Sequence, residues 1–330
     1  MKKLFFLIFC LIISGCQSRQ SLYTEKQQEI LRDADVLDYA ENSCEQVTTL
    51  QMMLDEGAFE KKYIEDYCRM ELTSSKHVNF LLDQGLNNAD VIGFSTIPYF
   101  RDENIARYLE ADGSYEERVL AVNMNMDLEP FETTSYVSDF SDMTLLVNKF
   151  NALPEGYVPD DMVDVKYVCV QGVDYSCTTM DQVVLRQEAE EAFERFVESA
   201  LEEKGISIVA IAAYRSYQYQ KDLYNYYLPI YGQERTDQYY ARPGQSEHNS
   251  GLAVDITFDH IRYTDIESHE AYPWILENMH RFGFILRYPE DKQKITRYGY
   301  ESWHLRYVGV EAATTMYENN WCLEEYLARK

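Results

Sequence analysis

Two short stretches in the last third of the chain carry side chains that could bind a metal ion. SEHNSGLAVD contains His248 and Asp255, and ESWHLR contains Glu301 and His304. The apolar residues around Asp255 are typical of a buried strand, where a carboxylate is costly unless a cation pairs with it. Two histidines and an aspartate are common ligands of catalytic zinc, and a nearby glutamate can move the proton of a water at the open position. The residue types therefore predict a zinc hydrolase centre.

These side chains can act together only if the local structure brings them into one pocket. A turn at residues 249–251 would let His248 and Asp255 converge, with Asp255 on the strand that follows. Glu301 and His304 are expected on the last strand, where residues three apart lie on opposite faces. A twist or a bulge would then be required for both to face the pocket.

Patterns of apolar residues predict the elements that carry these motifs. The segment 181–205 is the clearest helix, and it ends at Gly205. Its apolar face comprises Leu185, Ala189, Ala192, Phe193, Phe196, Ala200 and Leu201. Strands and helices then alternate at 206–214, 215–232, 252–258, 272–284 and 302–308. Because this order has no regular βαβ rhythm, we predict an α+β fold with a small, mostly antiparallel sheet flanked by helices.

An α-helical region is expected before the catalytic part of the chain. Residues 36–125 show helical periodicity with a weak repeat, in which Gly57 and Gly85 end helices. Its role is left open between a spacer or docking module and a cap on the catalytic domain. The segments 116–127 and 143–163 are strand-like, and we place the domain that carries the zinc centre at 126–330.

The first residues indicate export and attachment to a membrane. Two lysines precede the apolar run Leu4–Ile13, which is too short for a permanent membrane span. The run ends in ISGC, which resembles the lipobox of bacterial lipoproteins. We therefore expect a signal peptide at 1–15, an acylated Cys16 that anchors the protein outside the cytoplasm, and a tether at 16–35. An ordinary cleaved signal is the alternative.

Composition excludes some partners and leaves others open. The formal charge of −26 argues against nucleic acid and against binding anionic lipid through charge. Export permits disulfides, and spacing suggests Cys169 with Cys177 and allows Cys44 with Cys68, which leaves Cys322 over. The sequence alone does not fix the pairing. The oligomeric state is not determined by the sequence.

Three motifs together resemble a known family. SEHNSGLAVD matches SxHxxGxAxD, ESWHLR matches ExWH, and AAYRSYQYQ (212–220) matches a YRS-x-x-x-Q segment. These are signatures of the zinc D-alanyl-D-alanine carboxypeptidases related to the vancomycin-resistance enzymes, a family that also holds L,D-carboxypeptidases. The resemblance covers roughly residues 140–330. Ser302, where many relatives have proline, and Arg297, where glycine is common, depart from the pattern.

The resemblance implies a role for each matched residue. The ligands of one zinc ion would be His248, Asp255 and His304, and the general base would be Glu301. Arg215 would bind the carboxylate of the substrate or the oxyanion of the reaction intermediate. Ser246 and Gln220 would bind the terminal residue of the substrate. Arg215 could instead be a structural ion-pair partner, and Ser246 a turn residue.

The expected activity is removal of a terminal D-alanine from peptidoglycan stem peptides. An L,D-carboxypeptidase acting on tetrapeptide stems would use the same residues, so it remains an alternative. A wall-binding lipoprotein with a degenerate site is a third reading, and the presence of all four residues, His248, Asp255, Glu301 and His304, argues against it.

Overall fold

The computed structural model describes residues 21–70, 72–170 and 183–330. Its backbone divides into two units, one up to Asp102 and one from Glu103 to Lys330. The predicted signal peptide and Cys16 lie outside the described residues. Among the helices in these ranges, none is both long enough and apolar enough to cross a lipid bilayer.

The first unit is helical in its described part. Its α-helices are α1 (Glu25–Asp33), α2 (Leu37–Asn42), α3 (Val47–Asp55), α4 (Ile64–Arg69), α5 (Leu72–Asp83) and α6 (Asn88–Ser95). As predicted, Gly57 and Gly85 follow the ends of helices and have positive φ angles of 68° and 75°. A disulfide joins Cys44, between α2 and α3, to Cys68 in α4, which confirms that pairing. The predicted pair of Cys169 with Cys177 involves a residue outside the described ranges.

The second unit combines helices with short strands. Its α-helices are α7 (Ile105–Glu110), α8 (Tyr115–Asn123), α9 (Gln187–Lys204), α10 (Tyr217–Tyr231), α11 (Gln233–Tyr239), α12 (Tyr272–Asn278), α13 (Gln293–Thr296), α14 (Val310–Asn319) and α15 (Leu323–Leu327). Its strands are β1 (Ser135–Tyr136), β2 (Asn151–Ala152), β3 (Met162–Asp164), β4 (Val184–Arg186), β5 (Ile208–Ala212), β6 (Ala253–Phe258), β7 (Phe284–Leu286) and β8 (His304–Tyr307).

A four-stranded sheet forms the centre of this unit. The strand order is β5-β6-β8-β7, and each neighbouring pair is antiparallel. Two further pairs lie beside it, β1 with β2 in parallel and β3 with β4 antiparallel. The predicted α+β class, with a small and mostly antiparallel sheet between helices, is confirmed.

Helix α9 packs one apolar face against the sheet. Phe196 is fully buried, and its ring lies 6.2 Å from that of Trp274 and 6.3 Å from that of Phe284. Gly205 ends the helix in a left-handed conformation, as predicted. Leu201 was expected on the buried face but is 55 % exposed, and Val197 is buried instead. The apolar face therefore turns away from the core over the last turn.

The strand-like reading of residues 116–127 is wrong, because residues 115–123 form α8. Ser114 caps this helix: its hydroxyl accepts a hydrogen bond from the Glu117 amide, and the Glu117 carboxylate accepts one from the Ser114 amide. This reciprocal cap favours a helix over the strand that valines and leucine suggest. The packing places Val119 and Val122 on the buried side.

The helices α7 and α8 belong to the second unit. The sequence placed the start of the peptidase domain at residue 126, whereas the backbone groups residues from Glu103 onward with the catalytic part. Within that unit, the Asn123 side chain donates a hydrogen bond to the carbonyl of Ala328, at 3.1 Å. The boundary between the two units thus depends on contacts between residues far apart in sequence, which local sequence patterns do not reveal.

We expect Phe196→Ala to destabilise the protein by about 3–5 kcal/mol, because it removes a buried ring from a packed core. Leu201→Ala on the exposed side of the same helix should change the free energy of unfolding by less than about 0.5 kcal/mol. Urea unfolding of both variants measures the difference. Equal losses in the two variants would contradict the assigned core face of α9.

Candidate active site

Asp255 and His304 are neighbours across the two central strands. Asp255 is the third residue of β6, His304 is the first of β8, and the two form a direct cross-strand pair. The Nδ1 atom of His304 lies 3.0 Å from Oδ1 of Asp255. Both residues are buried, so the sheet register itself places a histidine beside a buried carboxylate.

His248 reaches the same point from the turn that precedes β6. It lies in a 3-10 turn, Glu247–Ser250, after which Gly251 adopts a positive φ of 72°. Any side chain at Gly251 would also collide with Met162, whose sulfur lies 2.9 Å from the position of a Cβ. The glycine therefore allows the chain to turn directly from His248 into the strand that carries Asp255.

The contacts of His248 fix which of its nitrogens faces the cluster. Its Nδ1 lies 2.6 Å from the carbonyl oxygen of Ala213, so Nδ1 must carry the proton and donate it. The lone pair is then on Nε2, which lies 3.3 Å from Oδ2 of Asp255. A free lone pair is the state that metal binding requires.

The donor atoms of His248, Asp255 and His304 fit one metal ion. One ligand atom from each of them lies within 4.8 Å of the other two, and all three residues are buried. Two imidazoles and a carboxylate suit zinc, and three protein ligands leave a fourth position open. The structure thus brings together the three residues that the sequence proposed as ligands.

The electrostatic surroundings shift the pKa values of His248, Asp255 and His304 in different directions. Burial, with the nearby Arg215 guanidinium, lowers the pKa of His248 to about 4. Burial alone would raise the pKa of Asp255, but its histidine and arginine neighbours outweigh this and hold it well below the usual range. Burial lowers the pKa of His304, and the carboxylates of Asp255 and Glu247 outweigh this and raise it to about 9.

Glu301 lies in the turn before β8 rather than on the strand. The strand begins at His304, and the amide of His304 bonds back to the carbonyl of Glu301. Glu301 and His304 therefore do not lie on opposite faces of one strand, and the twist or bulge expected from the sequence is not needed. Oε2 of Glu301 lies 3.8 Å from Nδ1 of His304, at the edge of the ligand cluster. Burial raises the pKa of Glu301 to about 7, despite the nearby His304.

Arg215 contacts the cluster from the end of β5. Its guanidinium donates to Oδ2 of Asp255 at 2.8 Å. Its backbone is held to the histidine turn, because its amide donates to the His248 carbonyl and its carbonyl accepts from the Asn249 side chain. Arg215 therefore does form an ion pair, which was the alternative to substrate binding in the sequence analysis. Its guanidinium also lines a cavity that opens over the ligand cluster.

Ser246 and Gln220 both line this cavity and are both buried. The Gln220 side chain donates from Nε2 to the carbonyl of Ala241 at 2.7 Å, which fixes the orientation of its amide. Its Oε1 has no hydrogen-bond partner. Gln220 therefore links α10 to the segment after α11, and the substrate-binding roles of Gln220 and Ser246 stay predictions.

A cavity of about 500 Å³ opens over the ligand cluster. Arg215, Glu301 and Trp303 lie in its wall together with a set of tyrosines, Tyr219, Tyr227, Tyr231, Tyr239, Tyr240, Tyr263, Tyr288 and Tyr298. A second cavity of about 790 Å³ shares Arg215 and Tyr219 with the first. The two cavities are therefore adjacent at Arg215 and Tyr219.

Sequence reasoning missed a buried ionic network behind the cluster. Glu247 accepts hydrogen bonds from Arg287 and Arg306, both at 2.7 Å, and Arg287 also pairs with Glu324. The side chains of these four residues are 0–2 % exposed. Glu247 lies within the histidine motif itself, but its partners are 40 and 59 residues away, so the sequence gave no signal of the pairing.

The two departures from the family pattern leave the cluster intact. Ser302 is buried, and its carbonyl accepts a hydrogen bond from the Tyr272 hydroxyl at 3.0 Å. Arg297, where relatives commonly have glycine, ends α13 with a φ of 63°. This left-handed conformation explains why glycine suits the position. The Arg297 carbonyl also accepts a hydrogen bond from the buried Lys149.

Comparisons with known proteins agree with this geometry. Residues 182–310 match the family model of the VanY D-alanyl-D-alanine carboxypeptidases. The putative carboxypeptidase YodJ of Bacillus subtilis (strain 168) is 35% identical over 210 residues, 62% of this chain and 73% of that protein. The bifunctional D-Ala-D-Ala dipeptidase and D-Ala-D-Ala carboxypeptidase VanXYC of Enterococcus gallinarum is 39% identical over 149 residues, 44% of this chain and 77% of that one. The solved structure of the LdcB LD-carboxypeptidase superposes with a TM-score of 0.54 at 33% identity, covering 62% of this chain and 94% of that chain.

The raised pKa of Glu301 predicts a pH-dependent penalty in the metal-free protein. The folded-state pKa of about 7 exceeds the ordinary value of 4.5, so the folded protein holds this proton more tightly. The contribution of Glu301 to stability should therefore fall as the pH rises from 4.5 towards 7 and stay low above it. Glu301→Gln should be more stable than wild type at pH ~8 and similar at pH ~4.

Urea unfolding in the presence of a chelator measures this difference. Glu311→Gln, which changes an exposed glutamate on α14, is the matched control and should show no such trend. A stability difference between Glu301→Gln and wild type that did not vary with pH would contradict the buried, protonatable state of Glu301.

Proposed function

The chain belongs to the zinc D-alanyl-D-alanine carboxypeptidase family, and from this membership we propose that it removes the terminal D-alanine of pentapeptide stems in a zinc-dependent reaction. The family predicted from the motifs is confirmed, and the chain is a carboxypeptidase acting on peptidoglycan peptides. The observation that supports the finer proposal is the cluster of His248, Asp255 and His304 beside Glu301 and Arg215, in one cavity.

We assign the zinc ion to Nε2 of His248, the carboxylate of Asp255 and Nδ1 of His304. When bound there, zinc would act as a Lewis acid on the scissile carbonyl and lower the pKa of a water molecule to about 7. The protein contributes ligands that are buried and held by hydrogen bonds from the far side, as with His248 and Ala213. Ligand side chains that are held in this way would bind the ion without having to reorient.

Glu301 is assigned to proton transfer. Its carboxylate lies next to the cluster without being one of the three grouped ligands. It accepts a proton from the attacking water and then donates that proton to the amine nitrogen of the leaving D-alanine. A carboxylate whose pKa is raised towards neutrality can both take and return a proton near pH 7.

Arg215 is assigned to the charge of the substrate. A carboxypeptidase must pair the free C-terminal carboxylate, because an unpaired charge in a closed pocket is costly. Arg215 lines the cavity and donates to Asp255 through Nη2, and a guanidinium group has further N–H donors for a second acceptor. It is therefore placed either to bind the terminal carboxylate or to stabilise the developing oxyanion, with Ser246 and Gln220 near the terminal residue.

L,D-carboxypeptidase activity on tetrapeptide stems is the second candidate. It is favoured by the likeness to the LdcB LD-carboxypeptidase, of which 94% is covered. The D,D proposal is favoured by the VanXYC likeness, 39% identical over 149 residues. The same donor set serves both reactions, so the two differ in which stem fits the cavity.

We also propose that the protein is held on the outer face of the bacterial membrane by lipid on Cys16. The support is the apolar run Leu4–Ile13 followed by ISGC. Two or more acyl chains are enough for stable anchoring. Cys16→Ala should move the protein from the membrane pellet to the soluble fraction, and its retention in the pellet would argue against the lipid.

Assay of both stems tests the proposed function directly. We expect release of D-alanine from the pentapeptide stem, loss of activity with a chelator, and recovery on adding zinc. Glu301→Ala should keep its zinc and lose about 10²- to 10⁴-fold in kcat, the usual contribution of a general acid–base group. Glu311→Ala is the exposed control. Preference for the tetrapeptide stem would support the L,D alternative. If neither stem is hydrolysed, the protein would instead be a wall-binding lipoprotein with a degenerate site.

Amidating the substrate tests the role of Arg215. We expect a stem with an amidated C-terminus to be hydrolysed about tenfold to a hundredfold more slowly in kcat/KM, because one charge-assisted hydrogen bond is lost. Arg215→Ala should lower activity on the free acid and reduce this discrimination. Zinc content must be measured alongside, since Arg215 also contacts Asp255. Equal rates on acid and amide would refute carboxylate recognition while leaving the zinc hydrolase proposal intact.

A further inference from the structure

We propose that Glu247 is a positioning residue for the metal centre, which holds the His304 ring with its proton on Nε2 and its lone pair on Nδ1. The inference deepens the proposed function and rests on the zinc site assigned there. It adds a residue outside the grouped ligands His248, Asp255 and His304, which acts through the ligand His304. Four observations carry it.

The first observation is a pair of buried polar atoms that face each other. Oε2 of Glu247 and Nε2 of His304 are 3.6 Å apart. Both atoms are buried, and neither has a hydrogen-bond partner. Buried polar groups are rarely left unpaired, and a shift of about 0.5 Å would convert this approach into a normal N–H···O bond.

The second observation is the position of the other ring nitrogen. Nδ1 of His304 lies 3.0 Å from Asp255 and 3.8 Å from Glu301, on the side of the ligand cluster. A histidine that binds a metal through one nitrogen carries a proton on the other and donates it to an acceptor. Since Nδ1 faces the cluster, Nε2 is the donor, and the carboxylate of Glu247 is its acceptor.

The third observation is that the two oxygens of the Glu247 carboxylate have different partners. Arg287 and Arg306 both donate to Oε1, each at 2.7 Å. Oε2 is left for His304. The guanidinium groups also keep Glu247 ionised although its side chain has no exposed surface, since they supply the opposite charge. The carboxylate is therefore an anion with one oxygen reserved for the ring.

The fourth observation is that Glu247 is held in place from several directions. Arg287 makes a two-pronged pair with Glu324, at 2.7 and 2.9 Å. Arg306 donates to the carbonyl oxygens of Met143 and Leu145, at 2.9 and 2.8 Å. Each guanidinium is thus fixed by groups outside the pair, so the carboxylate cannot move without breaking several buried contacts.

The two histidine ligands consequently have different partners. Nδ1 of His248 donates to a neutral carbonyl, that of Ala213, whereas Nε2 of His304 faces a carboxylate. A carboxylate partner makes an imidazole ligand more basic and fixes its tautomer more strongly. We therefore expect Glu247 to contribute to zinc affinity through His304, in a way that a merely structural ion pair would not.

Glu247→Gln is an informative variant because the arginines dictate its orientation. They require an acceptor, so the amide oxygen would replace Oε1 and the NH₂ group would face Nε2 of His304. Two donors would then oppose each other, which favours the proton on Nδ1 and blocks the ligand nitrogen. Glu324→Gln is the matched control, because it removes a charge from the same network without touching His304.

The main measurement is the Kd of zinc in the full-length protein, by competition with a chelator. We expect Glu247→Gln to weaken zinc binding about tenfold to a hundredfold, the usual effect of losing such a partner, and Glu324→Gln to stay near wild type. Equal weakening in both variants would assign Glu247 a structural role only. Unchanged affinity in Glu247→Gln would overturn the proposal outright.

A second readout does not depend on whether Glu247→Gln folds. In nitrogen-15 NMR of the wild-type protein, Nε2 of His304 should carry a slowly exchanging proton, assigned by its loss in His304→Gln. Zinc should then bind at Nδ1. Finding zinc on Nε2, or a rapidly exchanging Nε2 proton, would refute the role of Glu247. Failure of wild type to bind zinc would refute the proposed function instead, and the metal-free spectrum would still test the contact.

Discussion

The carboxylate of Asp255 is ionised although it is buried in the central strand of the sheet, and much of the surrounding structure compensates for that charge. The cost of burying an isolated carboxylate is large, so cationic or hydrogen-bonding partners must converge on it. His304 comes from the neighbouring strand, His248 from the turn before, and Arg215 from the end of the strand on the other side. The sheet register and the turn at Gly251 are therefore part of the electrostatics of the site.

The pKa values of two carboxyl groups in one cavity are shifted in opposite directions. The neighbours of Asp255 lower its pKa, whereas burial raises that of Glu301. A separation of this kind gives two chemically similar residues different tasks, one as a permanent anion and one as a group that exchanges a proton. The difference arises from position, since Asp255 lies between three positive or polarised groups and Glu301 lies in the turn at the edge of them.

The sequence predicted the elements, and the meeting of His248, Asp255 and His304, better than it predicted the residues that hold them in place. The motifs and the periodicity of α9 and β6 are local, and they led to the correct fold class. The turn position of Glu301 and the helix α8 were missed, because strand limits and reciprocal caps are judged from few residues. The pairing of Glu247 with Arg287 and Arg306 could not be predicted, since it joins residues that only the tertiary fold brings together. Roles in binding the substrate, as for Ser246 and Gln220, depend on a ligand and stay predictions.

The hydrogen bond between Asn123 and Ala328 has a consequence for how the molecule is made. It joins residues 205 positions apart, at the two ends of the second unit. Glu324, which completes the ionic network behind the histidines, also comes from the last helix. Contacts so distant in sequence form late and slowly. The catalytic unit therefore cannot complete its fold until α15 is in place, so the two ends of the unit are coupled in folding although they are far apart in sequence.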